Sequence, residues 1–371
     1  MTDQNLAMQP GAIAVLLHDL RGGGAERVML NLAKGMAAAG RKVTLVLVSA
    51  EGAYLDQIPS GIGVVNLAQA SVFSAIPAIA RYVKANKPSA ILSALPHVNV
   101  AALLAKRLFR LNVRIVLTEH NQITLKASQA SGLRRKLTFF LVKMLYRYAD
   151  AVVAVSNGVA KDIEQYANLR RSSVHCIYNP SFSPSILEAA KERPEHPWFF
   201  DGGPDILLAA GRLHKQKAYD VLLRAIALAR HHRDVRLLVI GEGEERASLE
   251  ALRDELRLQN VVDFAGFSNN PYAVMANARL LVMSSSWEGL PTVLIEAMAC
   301  DLPIVSTDCP SGPDEILARG TYGYLTPVGD AVALSNAILA ALESPKRGGP
   351  ERAKAFSVEE AVKRYLEVLD H

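Results

Sequence analysis

Cysteine is scarce in this chain: Cys176, Cys300 and Cys309 are the three among 371 residues. An odd number without metal-ligand spacing excludes a disulfide framework and a zinc site. It fits reduced, partly buried thiols of a cytoplasmic protein. Long apolar runs are missing too. None approaches the ~20 residues that span a bilayer, and the longest, 137–146, is broken by Lys143. Residues 1–10 carry neither a basic stretch nor an apolar segment, so no secretory signal is expected there. No Asp-x-Asp occurs, which removes the usual basis for an acidic clamp on a metal and a diphosphate. The G-x-G-x-x-G fingerprint is also absent, and nothing marks a hydride-transfer site, so a dehydrogenase is the least supported enzyme class. No nucleic-acid motif accompanies the basic charge, which argues against nucleic acid as a partner.

Half of the residues are hydrophobic and 21% are charged, the composition of a folded globular protein. The length is too great for one ordinary core and favours two domains. Net charge is +5, and it is unevenly spread. Between 106 and 147 stand Lys106, Arg107, Arg110, Arg114, Lys126, Arg134, Arg135, Lys136, Lys143 and Arg147, against the single acid Glu119. Within that span, 133–148 mixes basic residues with Leu, Phe, Met and Tyr at helical spacing. Such a stretch suits an anionic membrane surface, apolar face down, and equally suits a core helix with a solvated basic edge.

Short apolar runs alternate with longer helical patterns. Residues 12–17 and 43–48 read as buried strands. Between them 25–39 has apolar positions at Val28, Leu32, Met36 and Ala39, a helical period closed by Gly40. Further strands are expected at 90–92, 114–117, 151–155 and 174–177. Residues 179–204 hold five prolines and break the rhythm. The alternation resumes with strands at 206–210, 236–240, 261–264, 279–283, 303–306 and 322–325. The pattern predicts an α/β protein of two Rossmann-like domains with parallel sheets, facing each other across a cleft. The expected parts are an N-terminal domain at 1–179, a connection at 180–204, a second domain at 205–356, and a terminal helix at 357–371 returning to the first. Ligands in such sheets sit beyond the carboxyl ends of the strands.

The chemistry-bearing motifs lie at those ends. Glu288 and Glu296 bracket Gly289-Leu-Pro-Thr-Val-Leu-Ile295, after an apolar strand and at the start of a helix. Pro291 suits a first helical position, because it lacks the N–H that would have no partner there. The free N–H groups of that helix end form a ready anion site. Gly22-Gly-Gly-Ala-Glu-Arg27 follows the first strand, where Gly23 and Gly24 would admit a ligand close to the backbone. Arg212 and Lys217 follow the first strand of the second half. An arginine fork and a mobile ammonium could neutralise a departing diphosphate, and Lys215 is an alternative for the second role. Thr118-Glu-His-Asn121 ends another strand and places His120 towards the expected cleft. Asn179-Pro180 reads as a hinge or a cleft contact. His97, Asn99, Gly241-Glu-Gly243 and Ser311-Gly-Pro-Asp-Glu315 are further strand-end features.

Taken together, these motifs resemble the retaining glycosyltransferases of family 4, with the GT-B fold, over nearly the whole chain. The matching pieces are Gly-Gly-Ala-Glu-Arg (23–27), Glu-His-Asn (119–121), Asn-Pro (179–180), Gly-Arg-Leu (211–213) with Lys217, Gly-Glu-Gly (241–243), and Glu-Gly-Leu-Pro-Thr-Val-Leu-Ile-Glu (288–296). The resemblance implies that Arg212 and Lys217 hold the donor diphosphate, Glu296 binds the ribose hydroxyls, and Glu288 contacts the donor sugar. Gly289, Leu290, Pro291 and Thr292 would form the turn beneath the phosphate, with Gly23 and Gly24 bringing backbone near the phosphates or acceptor. His120, Asn121 and Asn179 would serve the acceptor side. It implies a UDP-sugar co-substrate and no metal or other cofactor. The motifs are similar to those of bacterial enzymes that extend glycans on polyprenyl-diphosphate carriers. A lipid-linked or polysaccharide acceptor follows, with work at the inner face of the cytoplasmic membrane. Two other readings fit the same residues: a nucleotide-sugar epimerase or hydrolase, and a non-catalytic nucleotide-binding subunit of an assembly complex.

Overall fold

The computed structural model describes residues 11–21 and 23–371. Residues 1–10 and Gly22, the first glycine of the loop after the first strand, lie outside the described residues. The chain divides into two compact units: the described residues up to Pro180 together with Val358–His371, and Ser181–Ser357.

In the first unit seven parallel strands form one sheet. They are β1 (Ile13–Leu17), β2 (Val43–Leu47), β3 (Gly63–Asn66), β4 (Ala90–Ala94), β5 (Arg114–Glu119), β6 (Ala151–Ala154) and β7 (Val174–Cys176). Their order is β3-β2-β1-β4-β5-β6-β7, so the winding reverses between β1 and β4. β1, β2 and β4 are buried at every residue. This is why they read as unbroken apolar runs: helices cover both faces of a parallel sheet. β3 was not foreseen. It is an edge strand of four residues with only Val65 buried, so it lacks the apolar run that marked its neighbours.

The helix Gly24–Ala38 follows β1 and turns Val28, Met29, Leu32 and Met36 into the core. The C-terminal helix Val358–Asp370 packs against it, contributing Ala361, Val362, Tyr365 and Leu369 to the same core. Gly35 sets the contact, for a Cβ there would lie 2.6 Å from Val362 Cγ2 and 2.8 Å from Val358 Cγ1. Arg41 donates two bonds to Asp370, at 2.8 and 2.7 Å, and Arg114 Nε donates to the Val368 carbonyl at 3.0 Å.

The second unit repeats the design with six parallel strands: β8 (Asp205–Ala210), β9 (Val235–Ile240), β10 (Val262–Gly266), β11 (Leu280–Met283), β12 (Ile304–Thr307) and β13 (Tyr324–Thr326). The order β10-β9-β8-β11-β12-β13 again reverses, here between β8 and β11. Leu207, Leu222, Ile226, Leu237, Val282 and Ile338 lie in its core. The two ends of this unit meet, since Ser181 and Phe182 both donate to the Phe356 carbonyl at 3.0 Å. The proline-rich segment packs on the unit through its helix Pro184–Ala189, whose Ala189 carbonyl accepts from Asn270 Nδ2 at 2.8 Å.

Candidate active site

In the second unit the switch point brings the loops after β8 and β11 together. The loop after β8 closes as a 3-10 turn at Lys215–Lys217, and His214 caps it by accepting from Gln216 N–H at 3.0 Å. That turn aims Lys217 at Glu288, with Nζ 2.6 Å from Oε1. Glu288 is 8% exposed, yet its carboxylate is well supplied. Ser285 Oγ donates to Oε1 at 2.8 Å, and Gln216 Nε2 donates to Oε2 at 3.2 Å and to the Trp287 carbonyl at 2.7 Å. Three donors around one buried carboxylate satisfy the condition for keeping a charge there. Beneath the pair, Tyr219 donates to the Gly211 carbonyl at 3.0 Å. Its phenol is pushed up by burial and by the nearby Glu288 carboxylate.

The Gly289-Leu-Pro turn leads into the helix Thr292–Ala299. Pro291, expected at the first helical position, is instead the cap, and the helix begins one residue later at Thr292. Its ψ of 100° is extended, as a helix cap requires. Ser311 and Gly312 brace the turn from behind. Ser311 Oγ donates to the Gly289 carbonyl at 2.8 Å, and a Cβ on Gly312 would stand 2.5 Å from Pro291 Cδ. Leu290 and Pro291 are buried, while Thr292 and Glu296 are half-buried on the helix. Arg212 is the exposed member of the group, its side chain 72% accessible and 3.1 Å from Glu244 Oε2. Lys215 is exposed, so it is Lys217 that the turn directs inward.

Gly241-Glu-Gly243 backs the Arg212 loop. Gly241 has φ +139°, and a Cβ on it would stand 2.1 Å from the Gly211 carbonyl oxygen. Leu213 N–H donates to the Glu242 carbonyl, and Glu245 N–H to the Leu213 carbonyl, both at 3.0 Å. The motif is thus a scaffold for the β8 loop.

The first unit gathers its own predicted residues at the carboxyl edge of its sheet. Gly23 caps the helix Gly24–Ala38, and both glycines are exposed. His120 follows β5 directly and is 8% exposed. Burial pushes its imidazole down to about 3, so it is neutral near pH 7. Nε2 lies 3.4 Å from Thr118 Oγ1, and buried Nδ1 has no partner among the described residues. The same is true of Asn179 Oδ1, after β7. Asn121 is half-buried. Ser181 Oγ and Thr326 Oγ1 of the second unit are likewise buried without a partner among the described residues.

Other groups drew little sequence signal: Glu119 and His97 were named only within strand-end features, and Gln216 and Ser285 were not singled out. Glu119 is 1% exposed and accepts from Asn99 Nδ2 at 2.8 Å and from Tyr146 Oη. Burial raises its carboxyl to about 7, with the bonds from Tyr146 and Asn99 opposing the rise. His97 packs edge-on against His18, ring centroids 5.6 Å apart, and burial lowers it to about 4. Gln216 and Ser285 carry no sequence signal beyond their closeness to Lys217 and Glu288. No group of three or more His, Cys, Asp or Glu side chains is arranged to hold a metal among the described residues.

Two doubly wound parallel sheets, each with its own switch point, are the units of the GT-B architecture. Residues 22–180 match the family described as Glycosyltransferase Family 4, and residues 191–357 match Glycosyl transferases group 1. N-acetylgalactosamine-N,N'-diacetylbacillosaminyl-diphospho-undecaprenol 4-alpha-N-acetylgalactosaminyltransferase of Campylobacter jejuni is 31% identical, over 70% of this chain and 70% of its own length. An uncharacterized glycosyltransferase of Methanocaldococcus jannaschii is 26% identical over 79% of this chain and 82% of its own. HepE of Anabaena, solved in complex with UDP, has the same fold, with TM-score 0.76 and 24% identity over 96% of this chain and 99% of that one. The chain belongs to the family 4 glycosyltransferases, and it is an enzyme that transfers sugar.

Proposed function

We propose that this enzyme moves a hexose or N-acetylhexosamine from a UDP-sugar to a lipid-linked or growing polysaccharide acceptor, retaining the anomeric configuration and using no metal. The observation that carries the reading is the Lys217–Glu288 pair at the β8/β11 switch point, beside the N-terminus of the helix Thr292–Ala299. A helix N-terminus and two cations, Lys217 and Arg212, suit a leaving diphosphate. Glu296, within the first two turns of the helix, suits the ribose hydroxyls. Glu288, fixed by three donors, suits the hydroxyls of the sugar. Gly289, Leu290, Pro291 and Thr292 carry the turn under the phosphates, and Gly23 and Gly24 bring backbone near the phosphates or acceptor. His120, Asn121 and Asn179 serve the acceptor. In this scheme the bond from the anomeric carbon to the diphosphate breaks as the acceptor oxygen bonds on the same face. The acceptor proton passes to the departing phosphate oxygen, so no side chain acts as nucleophile. The UDP in the HepE structure and the diphospho-undecaprenol in the Campylobacter enzyme's name support the choice of donor and acceptor.

A membrane-surface role belongs to the same reading. The helix Leu133–Leu145 leaves Leu133 (84%), Leu137, Phe140 (59%) and Met144 exposed. Their spacing puts them on one stripe, with exposed Arg134, Arg135, Lys136 and Lys143 around it. No helix among the described residues is long and apolar enough to cross a membrane. We place the enzyme peripherally on the inner face of the cytoplasmic membrane.

Transfer from a UDP-sugar to a polyprenyl-diphosphate-linked acceptor in the presence of EDTA tests the main reading. Turnover that disappears with EDTA and returns with Mg²⁺ refutes the metal-free part. Consumption of the donor without acceptor points instead to an epimerase or hydrolase. Reversing Arg134, Arg135 and Lys136 to Glu should reduce sedimentation with phosphatidylglycerol vesicles, and unchanged sedimentation removes the membrane from the account.

A further inference from the structure

Side chains at the end of β5 alternate between the two faces of the sheet, as strand side chains do. On one face Thr118 Oγ1 stands 3.2 Å from Tyr365 Oη of the C-terminal helix and 3.4 Å from His120 Nε2. On the other face lies Glu119, whose Oε1 accepts from Asn99 Nδ2 at 2.8 Å and from Tyr146 Oη. Asn99 is itself held. Ser93 Oγ donates to its Oδ1 at 2.6 Å, and its Nδ2 reaches the Thr118 carbonyl at 3.2 Å. The network joins β4, the helix Pro96–Leu108, β5 and the turn Tyr146–Tyr148. Stability alone does not account for it. Exchanging a fully buried polar set for apolar groups of the same shape is often neutral or favourable.

We infer that Glu119 is a positioning residue for the transfer reaction: bonded by Asn99 and Tyr146, it fixes the peptide that carries His120, while Tyr365 orients the imidazole through Thr118. β5 is thus clamped from both faces immediately before the group that serves the acceptor. The inference rests on the reading of His120 given above.

The test uses the full-length chain with Glu119→Leu, Glu119→Gln and Tyr146→Phe. Each variant is followed by steady-state transfer and by NMR of ¹⁵N-labelled histidine. Tyr146→Phe and Glu119→Leu should lower kcat by about tenfold or more, with donor KM changed by less than about twofold, because misplacement of a reacting group acts on turnover. Glu119→Gln should stay near wild type, since an amide oxygen can accept the same two bonds. The His120 ring signals should move in the first two variants and hold in the third. Unmoved His120 signals with wild-type kcat in Tyr146→Phe overturn the inference, and so does a Glu119→Gln variant as impaired as Glu119→Leu. If Glu119→Leu does not fold, Tyr146→Phe carries the same expectation. A wild-type enzyme that transfers nothing overturns the functional reading instead, and the ring signals still decide this one.

Discussion

Replacing Lys217 by methionine should separate two jobs that one ammonium performs. Nζ lies 2.6 Å from Glu288 Oε1, with the two side chains 20% and 9% accessible. At an effective dielectric of 20 the gross attraction at that distance is about 6 kcal/mol. Most of it is offset by desolvation of both ions. Lys217→Met also leaves Glu288 with its bonds from Ser285 and Gln216. Breaking a buried pair by removing one member costs about 3–5 kcal/mol. The two surviving bonds and the partial exposure of Lys217 bring the expected loss of stability down to about 2–3 kcal/mol. Turnover should fall further, by about 10²–10³-fold, the usual effect of removing one group that faces developing charge. The double variant Lys217→Met/Glu288→Gln removes the stranded charge. It should recover most of the stability in a denaturant titration and none of the turnover lost in Lys217→Met. Recovery of both in the double variant would show that Lys217 serves only as counter-ion to Glu288, and the phosphate role would be wrong.

Gly35→Ala places a methyl group within 2.8 Å of two valines on the C-terminal helix and should destabilise the first unit by about 1–3 kcal/mol in urea unfolding; an unchanged midpoint would mean that the helix contact is looser than described. Gly241→Ala drives a Cβ into the Gly211 carbonyl, so it should raise donor KM through the Arg212 loop; unchanged KM and UDP affinity would break the link between the two loops. Stability should depend on pH through two buried groups, His120 and Glu119, and the half-buried His97. His120 and His97 have folded values of about 3 and about 4, below their ordinary 6.5, so their contribution is present above 6.5 and is lost as pH falls through the folded values. Glu119 is raised from 4.5 to about 7, so its contribution is full below 4.5 and is lost as pH rises through 7. Glu119→Gln should therefore steepen the rise in stability between pH 4.5 and 6.5 by about one proton equivalent, or about 1.4 kcal/mol per pH unit, and unfolding curves parallel to wild type across that window would refute the assignment.

Much of this architecture was legible because parallel strands buried on both faces leave uninterrupted apolar runs. β1, β2, β8 and β9 could be read directly for that reason. β3 could not, since an edge strand with one buried residue has no such run. The contact of Lys217 with Glu288 was foreshadowed in the sequence, where charge stands beside proline and glycine at a strand-to-helix turn. Its supporting donors were not. Gln216 and Ser285 are ordinary polar residues until the fold turns them towards one carboxylate. Asn99 was noted as a weak strand-end feature, although its side chain joins four elements. Tyr146 read as part of a basic, amphipathic stretch, because periodicity reports which face is apolar and not where a single hydroxyl is bonded.

The two units share a winding and differ in the chemistry of their carboxyl edges. In the second unit the edge carries opposite charges in contact, with cations within reach of an anion. In the first it carries groups that burial drives towards their neutral forms: His120, His97 and Glu119. A diphosphate needs fixed positive charge, and on the proposed reading a helix terminus with Lys217 and Arg212 supplies it. A hydroxyl nucleophile needs oriented, uncharged hydrogen-bonding partners, and a neutral imidazole with a free Nδ1 can be one. On that reading the edge of the second unit serves the leaving group and the edge of the first serves the attacking group. A charged His120 would undo that division by putting a cation where the acceptor needs a neutral hydrogen-bonding partner. His120→Lys should therefore lower kcat while leaving UDP affinity equal or tighter. Weaker UDP affinity in that variant would place His120 on the donor side and reverse the assignment.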